Sequence, residues 1–228
     1  MIGNQEVERE ELKGLHEANS QPLIIRVFAH LISVIFHPLF VPLYATWFLV
    51  FYHPYYFVGY PHSIKLWVLL RVGYNMVFFP SVTVLLLKAV GFINSIFLKT
   101  QRDRIIPIIA SNLFYFWMYL VFRNQPQIPG ILTSFVFGAF LASSLAILGN
   151  IYFKISLHAI GMGGLLGLFL VMLYRDVVPV TLPLMIVIFI CGLVCTSRMI
   201  VGKHSPAEIY LGLLVGVASQ YLASVFIL

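Results

Sequence analysis

Carboxylates are scarce in this chain, and most of them lie at one end. Of eight Asp and Glu residues, Glu6, Glu8, Glu10, Glu11 and Glu17 fall in the first twenty positions, and only Asp103, Asp176 and Glu208 follow. Charged residues of either sign make up 10% of the 228 positions, against roughly 25% in soluble domains, which excludes an ordinary water-soluble fold. Cysteine is equally sparse. Cys191 and Cys195 stand four apart in an apolar run with no second pair or histidine cluster nearby. That excludes a disulfide framework and leaves two small buried residues. The amino-terminal stretch has no basic region followed by a short apolar core and a cleavage site, so a removable signal peptide is not expected.

What remains is apolar: 61% of residues are hydrophobic and the mean hydropathy is +0.96. The expected fold is all-α, a polytopic membrane helical bundle of about six to seven transmembrane helices. Residues 1–22 form a polar acidic tail, and 23–228 a single membrane domain, because no long linker or repeat divides it. Apolar runs long enough for a bilayer that needs roughly 20 residues extend over about 24–52, 66–90, 105–122, 131–149, 158–174, 177–196 and 206–228. The first holds His30, His37-Pro38 and Pro42, so a kink is expected there. Both histidines are read as helix-packing or interfacial, since no carboxylate lies near them in sequence. Arg71, close to the end of its run, is read as a snorkelling side chain.

The net charge of +6 does not point to nucleic acid, because the basic residues sit at the ends of apolar runs and form no polar face. They cluster instead in polar breaks. One is 94–104, ending KTQRDR; a second is 150–158, NIYFKISLH; a third is 197–208, SRMIVGKHSPAE. Two expected crossings separate each from the next, so all three emerge on one face of the bilayer. An arginine, a lysine, a histidine and a glutamate together between apolar runs imply a charged ligand. Ser205-Pro-Ala-Glu208 has the spacing of a capping box with Pro206 at the first helical position, so a helix is expected to begin directly after His204. Its free amides would face an anion. Ser156 likewise precedes a helix start. Gly161, Gly163, Gly164 and Gly167 in one run, with Gly212 and Gly216 in another, allow close helix packing, with or without a link to the polar residues.

The third break resembles the last signature of the type-2 phosphatidic acid phosphatase superfamily, which reads S-R, five residues, H, three residues, D. Ser197, Arg198, His204 and Glu208 fill its places, with Glu where the family has Asp. KISLH resembles the middle signature P-S-G-H, keeping Ser156 and His158. KTQRDRIIP resembles the first signature loosely, with Lys99 and Arg104 five apart and Pro107 displaced by two isoleucines. The resemblance covers the chain from about Lys99 onward and marks a divergent member. It implies His204 as nucleophile, Glu208 as its orienting carboxylate and His158 as general acid and then base. It also implies Lys99, Arg102, Arg104, Ser156 and Arg198 as phosphate contacts. General chemistry agrees: a carboxylate fixes an imidazole tautomer, a second histidine exchanges a proton near neutral pH, and arginine binds phosphate in bidentate fashion.

The expected activity is therefore hydrolysis of a lipid phosphate or a polyprenyl or lipid pyrophosphate through a phosphohistidine, with the lipid's chain left in the bilayer. No metal or cofactor is expected, since positive surroundings repel a cation. A lipid phosphotransferase using the same site is the alternative within enzymes. A catalytically silent lipid-headgroup binder or transporter is the alternative outside them. Glu208 could equally serve only as a helix cap, and Lys99, Arg102, Arg104 and Lys203 as interfacial anchors. So compact a chain fits a bacterial inner membrane. The excess of Lys and Arg on the site's face consists largely of the proposed ligands, so charge leaves the orientation open.

Overall fold

The computed structural model describes residues 21–93, 95, 96, 98, 101–152, 154–175, 179–201 and 204–228, with Arg102 described for its backbone alone. Most of the acidic tail, Lys99, Asp176 and Lys203 lie outside these residues, so what was expected of them is not addressed by the fold. The regular structure among the described residues is all helical, as expected. The elements are α1 (Leu23–Ile35), α2 (Val41–Trp47) running into a π-helical turn (Phe48–Tyr52), α3 (His62–Val72) and a second π-helical turn (Gly73–Phe78). They continue with α4 (Phe79–Ala89), α5 (Gln101–Arg123), α6 (Gly130–Tyr152), α7 (Leu157–Arg175), α8 (Thr181–Ile200) and α9 (Pro206–Ile227). α3, its π turn and α4 form one continuous helix, His62–Ala89. With α5 to α9 this makes six helices long and apolar enough to cross a membrane among the described residues. The chain is a multi-pass membrane protein.

The first apolar run differs from expectation. It is not one kinked span but two short helices, and α1 with 13 residues is only about 20 Å long at ~1.5 Å per residue. The break falls at His37-Pro38, where proline lacks the amide that would continue the ladder. The turn is held by the Phe40 amide donating to the His37 carbonyl at 2.8 Å. The six long helices fall within the expected six to seven.

α7 and α9 are drawn together by glycine. A Cβ on Gly163 would fall on the Leu213 carbonyl oxygen and one on Gly216 on the Ile160 carbonyl oxygen; one on Gly212 would lie 2.9 Å from the Ser156 carbonyl oxygen. Backbones this close leave no room for a side chain, which is how small residues replace the missing hydrophobic drive between helices in lipid. The Ser156 amide then donates to the Glu208 carbonyl at 3.4 Å, tying the start of α7 to the first turn of α9. The same glycines thus bring the helix carrying His158 against the helix that follows His204. α6 packs against α9 at Gly138, where the side-chain amide of Gln220 occupies the space a Cβ would need.

The expected parity of the three polar breaks holds. Arg104 Nη1 donates to the Ile155 carbonyl at 3.4 Å, and His204 Nδ1 lies 3.0 Å from the Lys154 carbonyl, so the start of α5, the α6–α7 junction and the α8–α9 junction meet at one end of the bundle.

Candidate functional site

The sequence after α8 builds one wall of the site locally. Ser205 caps α9: its hydroxyl accepts from the Glu208 amide at 3.4 Å, and Glu208 Oε2 accepts from the Ser205 amide at 3.2 Å. This reciprocal box turns the Glu208 carboxylate back over the helix start, where Oε2 also lies 2.9 Å from His204 Nδ1. Capping and histidine orientation therefore coexist on the same oxygen. Nδ1 faces two groups that only accept, the Glu208 carboxylate and the Lys154 carbonyl. It must carry the hydrogen, which leaves the lone pair of the neutral ring on Nε2. Burial, with Arg198 and Arg104 nearby, lowers the His204 pKa below its ordinary 6.5 despite the opposing hydrogen bond that the ring donates to Glu208. Burial thus favours the neutral imidazole, with its lone pair on Nε2.

Around it stand the other residues singled out from the sequence. Ser197 and Arg198 are both buried and sit in the last turn of α8 rather than in a loop beyond it. Arg198 Nη1 donates to Ser33 Oγ at 3.4 Å, while its Nε is buried without a hydrogen-bond partner. Arg104, expected at the end of a polar segment, lies in the first turn of α5 and donates from Nε to the Leu98 carbonyl at 2.9 Å. His158 lies at the start of α7 with Nε2 3.0 Å from the Ser33 carbonyl, so Nε2 bears a hydrogen and Nδ1 is the atom free to exchange a proton.

Arg104, Lys154, His158, Arg198 and His204 line one cavity of about 1060 Å³. Ser156 does not line it. It is fully buried, and its hydroxyl accepts from the Ala159 amide at 3.4 Å, so it serves as the cap of α7 and a junction to α9. Asp103 is buried in the first turn of α5. The Arg102 side chain and Lys99 fall outside the described residues.

Ser33, His30, His37 and Lys154 line the cavity without having been singled out as site residues. Ser33 bridges, accepting from His158 through its carbonyl and from Arg198 through its hydroxyl. His37 stands edge-on to His158 with ring centroids 5.3 Å apart, and both His30 and His37 line the cavity. The close approach of α7 to the α1–α2 break allows this, since a Cβ on Gly161 would meet Pro38 Cα at 3.3 Å. The available signal was an ionisable residue next to proline inside an apolar run, which marks function more often than its lack of a carboxylate neighbour suggests.

Compared with family models, with curated proteins and with solved structures, the chain matches none.

Proposed function

We propose that this chain is an integral membrane phosphatase that hydrolyses a lipid phosphate or pyrophosphate through a phosphohistidine, without a metal or cofactor. The observation that carries the reading is the meeting of a neutral, carboxylate-oriented His204 with a buried Arg198 whose Nε has no acceptor. A buried guanidinium donor without a partner is costly, and a bound anion would satisfy it. Arg104 and Lys154 on the same cavity add positive charge. The resemblance of the three polar breaks to the type-2 phosphatidic acid phosphatases supports the same chemistry.

In this scheme His204 Nε2 attacks phosphorus, and the bond to the lipid's leaving oxygen breaks. Protonated His158 gives its Nδ1 proton to that oxygen. Glu208 stabilises the imidazolium character that develops on His204. Water then attacks the phosphorus, passing a proton to His158 Nδ1, and the N–P bond breaks to release phosphate and neutral His204. Arginine hydrogen bonds hold the charge of the equatorial oxygens in both steps. A bacterial inner membrane is the setting we propose.

The test is phosphate release by detergent-purified protein from a panel of lipid phosphates and pyrophosphates with EDTA present. Wild type is compared with His204→Ala and His158→Ala. Release that survives EDTA and disappears with His204→Ala is expected. A folded wild type that releases nothing from any member while binding one of them would overturn the hydrolase reading and favour a transferase or a binding protein.

A further inference from the structure

The cavity does not end at the charged residues. On α5 its wall runs from Arg104 through Pro107, Ile108 and Ser111 to Tyr115, one face of the helix over eleven positions. At ~1.5 Å per residue that is a depth of about 16 Å. This is about half of the ~30 Å hydrocarbon core, the depth one lipid chain occupies in a leaflet. Opposite, α6 contributes Ala139, Ala142 and Ala146, and α7 contributes Gly164. Three of the polar side chains along the way are spent on backbone. Ser111 donates to the Pro107 carbonyl at 2.8 Å, Ser143 to the Phe140 carbonyl at 2.9 Å, and Gln220 to the Phe135 carbonyl at 3.2 Å. Below the charged mouth the wall is therefore mainly small and apolar, with the Tyr115 ring at its inner end. Val34 and Ile96 line the cavity and are exposed, so it is open beside α1 and the α4–α5 connection.

We propose that the substrate's hydrocarbon chain enters this cavity between α5, α6 and α7, contrary to the expectation that it stays in the bilayer. The phosphate sits at Arg104 and Arg198, and one acyl or prenyl chain of about leaflet length extends toward Tyr115. This rests on the phosphatase reading for what the mouth holds. It adds that the substrate presents a single chain to the interior, and that chain length governs binding. A phosphate ester without a chain would leave the inner cavity unfilled and bind weakly, because the apolar contact area is what it lacks.

The test uses dodecyl phosphate carrying a diazirine near the chain terminus, photolysed with the wild-type protein in lipid nanodiscs, with labelled residues mapped by mass spectrometry. Labels on Ser111, Tyr115, Ala139 or Ala142 that are competed by unlabelled dodecyl phosphate are expected. Labels confined to the outward-facing Leu113, Trp117 and Leu148 would overturn the proposal. In parallel, Ala142→Leu, checked for an unchanged unfolding temperature, is expected to raise KM for dodecyl phosphate about tenfold or more while leaving ethyl phosphate unaffected. An equal effect on both esters would count against a chain site. Phosphate release with labels only outside sinks the chain site alone; competed labels inside with no release from any substrate sink the hydrolase reading alone.

Discussion

Glu208 Oε2 accepts hydrogen bonds from two neighbours at once, the His204 ring at 2.9 Å and the Ser205 amide at 3.2 Å. Glu208→Gln separates the two roles. Glutamine serves in a capping box as well as glutamate, so the unfolding temperature is expected to stay within a few degrees of wild type. The neutral amide, in contrast, neither stabilises the histidine cation nor enforces the tautomer. Phosphate release is expected to fall by about a hundredfold or more, as when a triad carboxylate becomes an amide. Activity equal to wild type would reduce Glu208 to a cap.

The pH profile has a definite sign. His204 has a pKa below its ordinary 6.5, chiefly through burial. Between the lowered value and 6.5 the unfolded chain binds more protons than the folded one. The contribution of His204 to stability is therefore present above 6.5 and is lost as pH falls through its folded pKa. The acid limb of kcat/KM is expected to lie below 6.5, because the nucleophile must be neutral. Glu208 opposes the shift, so Glu208→Gln is expected to move this limb further toward acid. A limb that moves toward neutral pH in the variant would contradict the arrangement.

The residues that were legible in the sequence are those whose contacts are short in sequence or follow from parity. His204, Ser205 and Glu208 lie within one turn, so the capping box and the histidine–carboxylate bond could be read from spacing. The meeting of the α5 start with the α6–α7 and α8–α9 junctions followed from counting crossings. Ser33 was not legible, because its bond to His158 joins residues 125 positions apart and uses a backbone carbonyl that no residue type announces. The break after α1 was expected only as a kink, since Pro38 marks where a helix weakens and tertiary packing decides whether it resumes. The inner cavity arises where alanines of α6 and glycines of α7 face α5. Composition gives the small residues without saying which faces meet.

Arg198 offers a test of anion binding that does not depend on turnover. Its Nε is buried without a partner, so phosphate or orthovanadate is expected to stabilise the wild type on thermal unfolding. A ligand at a hundred times its Kd adds about 2.7 kcal/mol. Arg198→Lys, which loses the planar fork, is expected to keep the fold and lose most of that stabilisation. An undiminished shift would place the anion elsewhere.

Glycine at the α7–α9 contact can be compared with glycine outside it. A Cβ on Gly216 falls on the Ile160 carbonyl oxygen, whereas nothing lies within 4 Å of one on Gly192. Gly192→Ala is expected to be neutral or to stabilise by up to about 1 kcal/mol through helix propensity. Gly216→Ala forces two backbones apart and is expected to cost about 2 kcal/mol or more, within the range of overpacked interiors. Unfolding temperatures in one detergent compare the two. Because separating α7 from α9 also moves His158 away from His204, surviving Gly216→Ala protein is expected to lose phosphate release out of proportion to its stability.

Ser33 joins the two halves of the site through different atoms, and substitution can take one without the other. Ser33→Ala removes the hydroxyl that accepts from Arg198 at 3.4 Å but keeps the carbonyl on which His158 Nε2 rests at 3.0 Å. A single long hydrogen bond contributes about 1 kcal/mol or less net, so KM is expected to rise several-fold at most. With the His158 tautomer still fixed by the backbone, kcat and the pH profile are expected to stay unchanged. A large fall in kcat for Ser33→Ala would mean that the hydroxyl, rather than the carbonyl, positions the catalytic groups. The role of α1 would then shift from holding His158 to aligning Arg198 on the transferred phosphate.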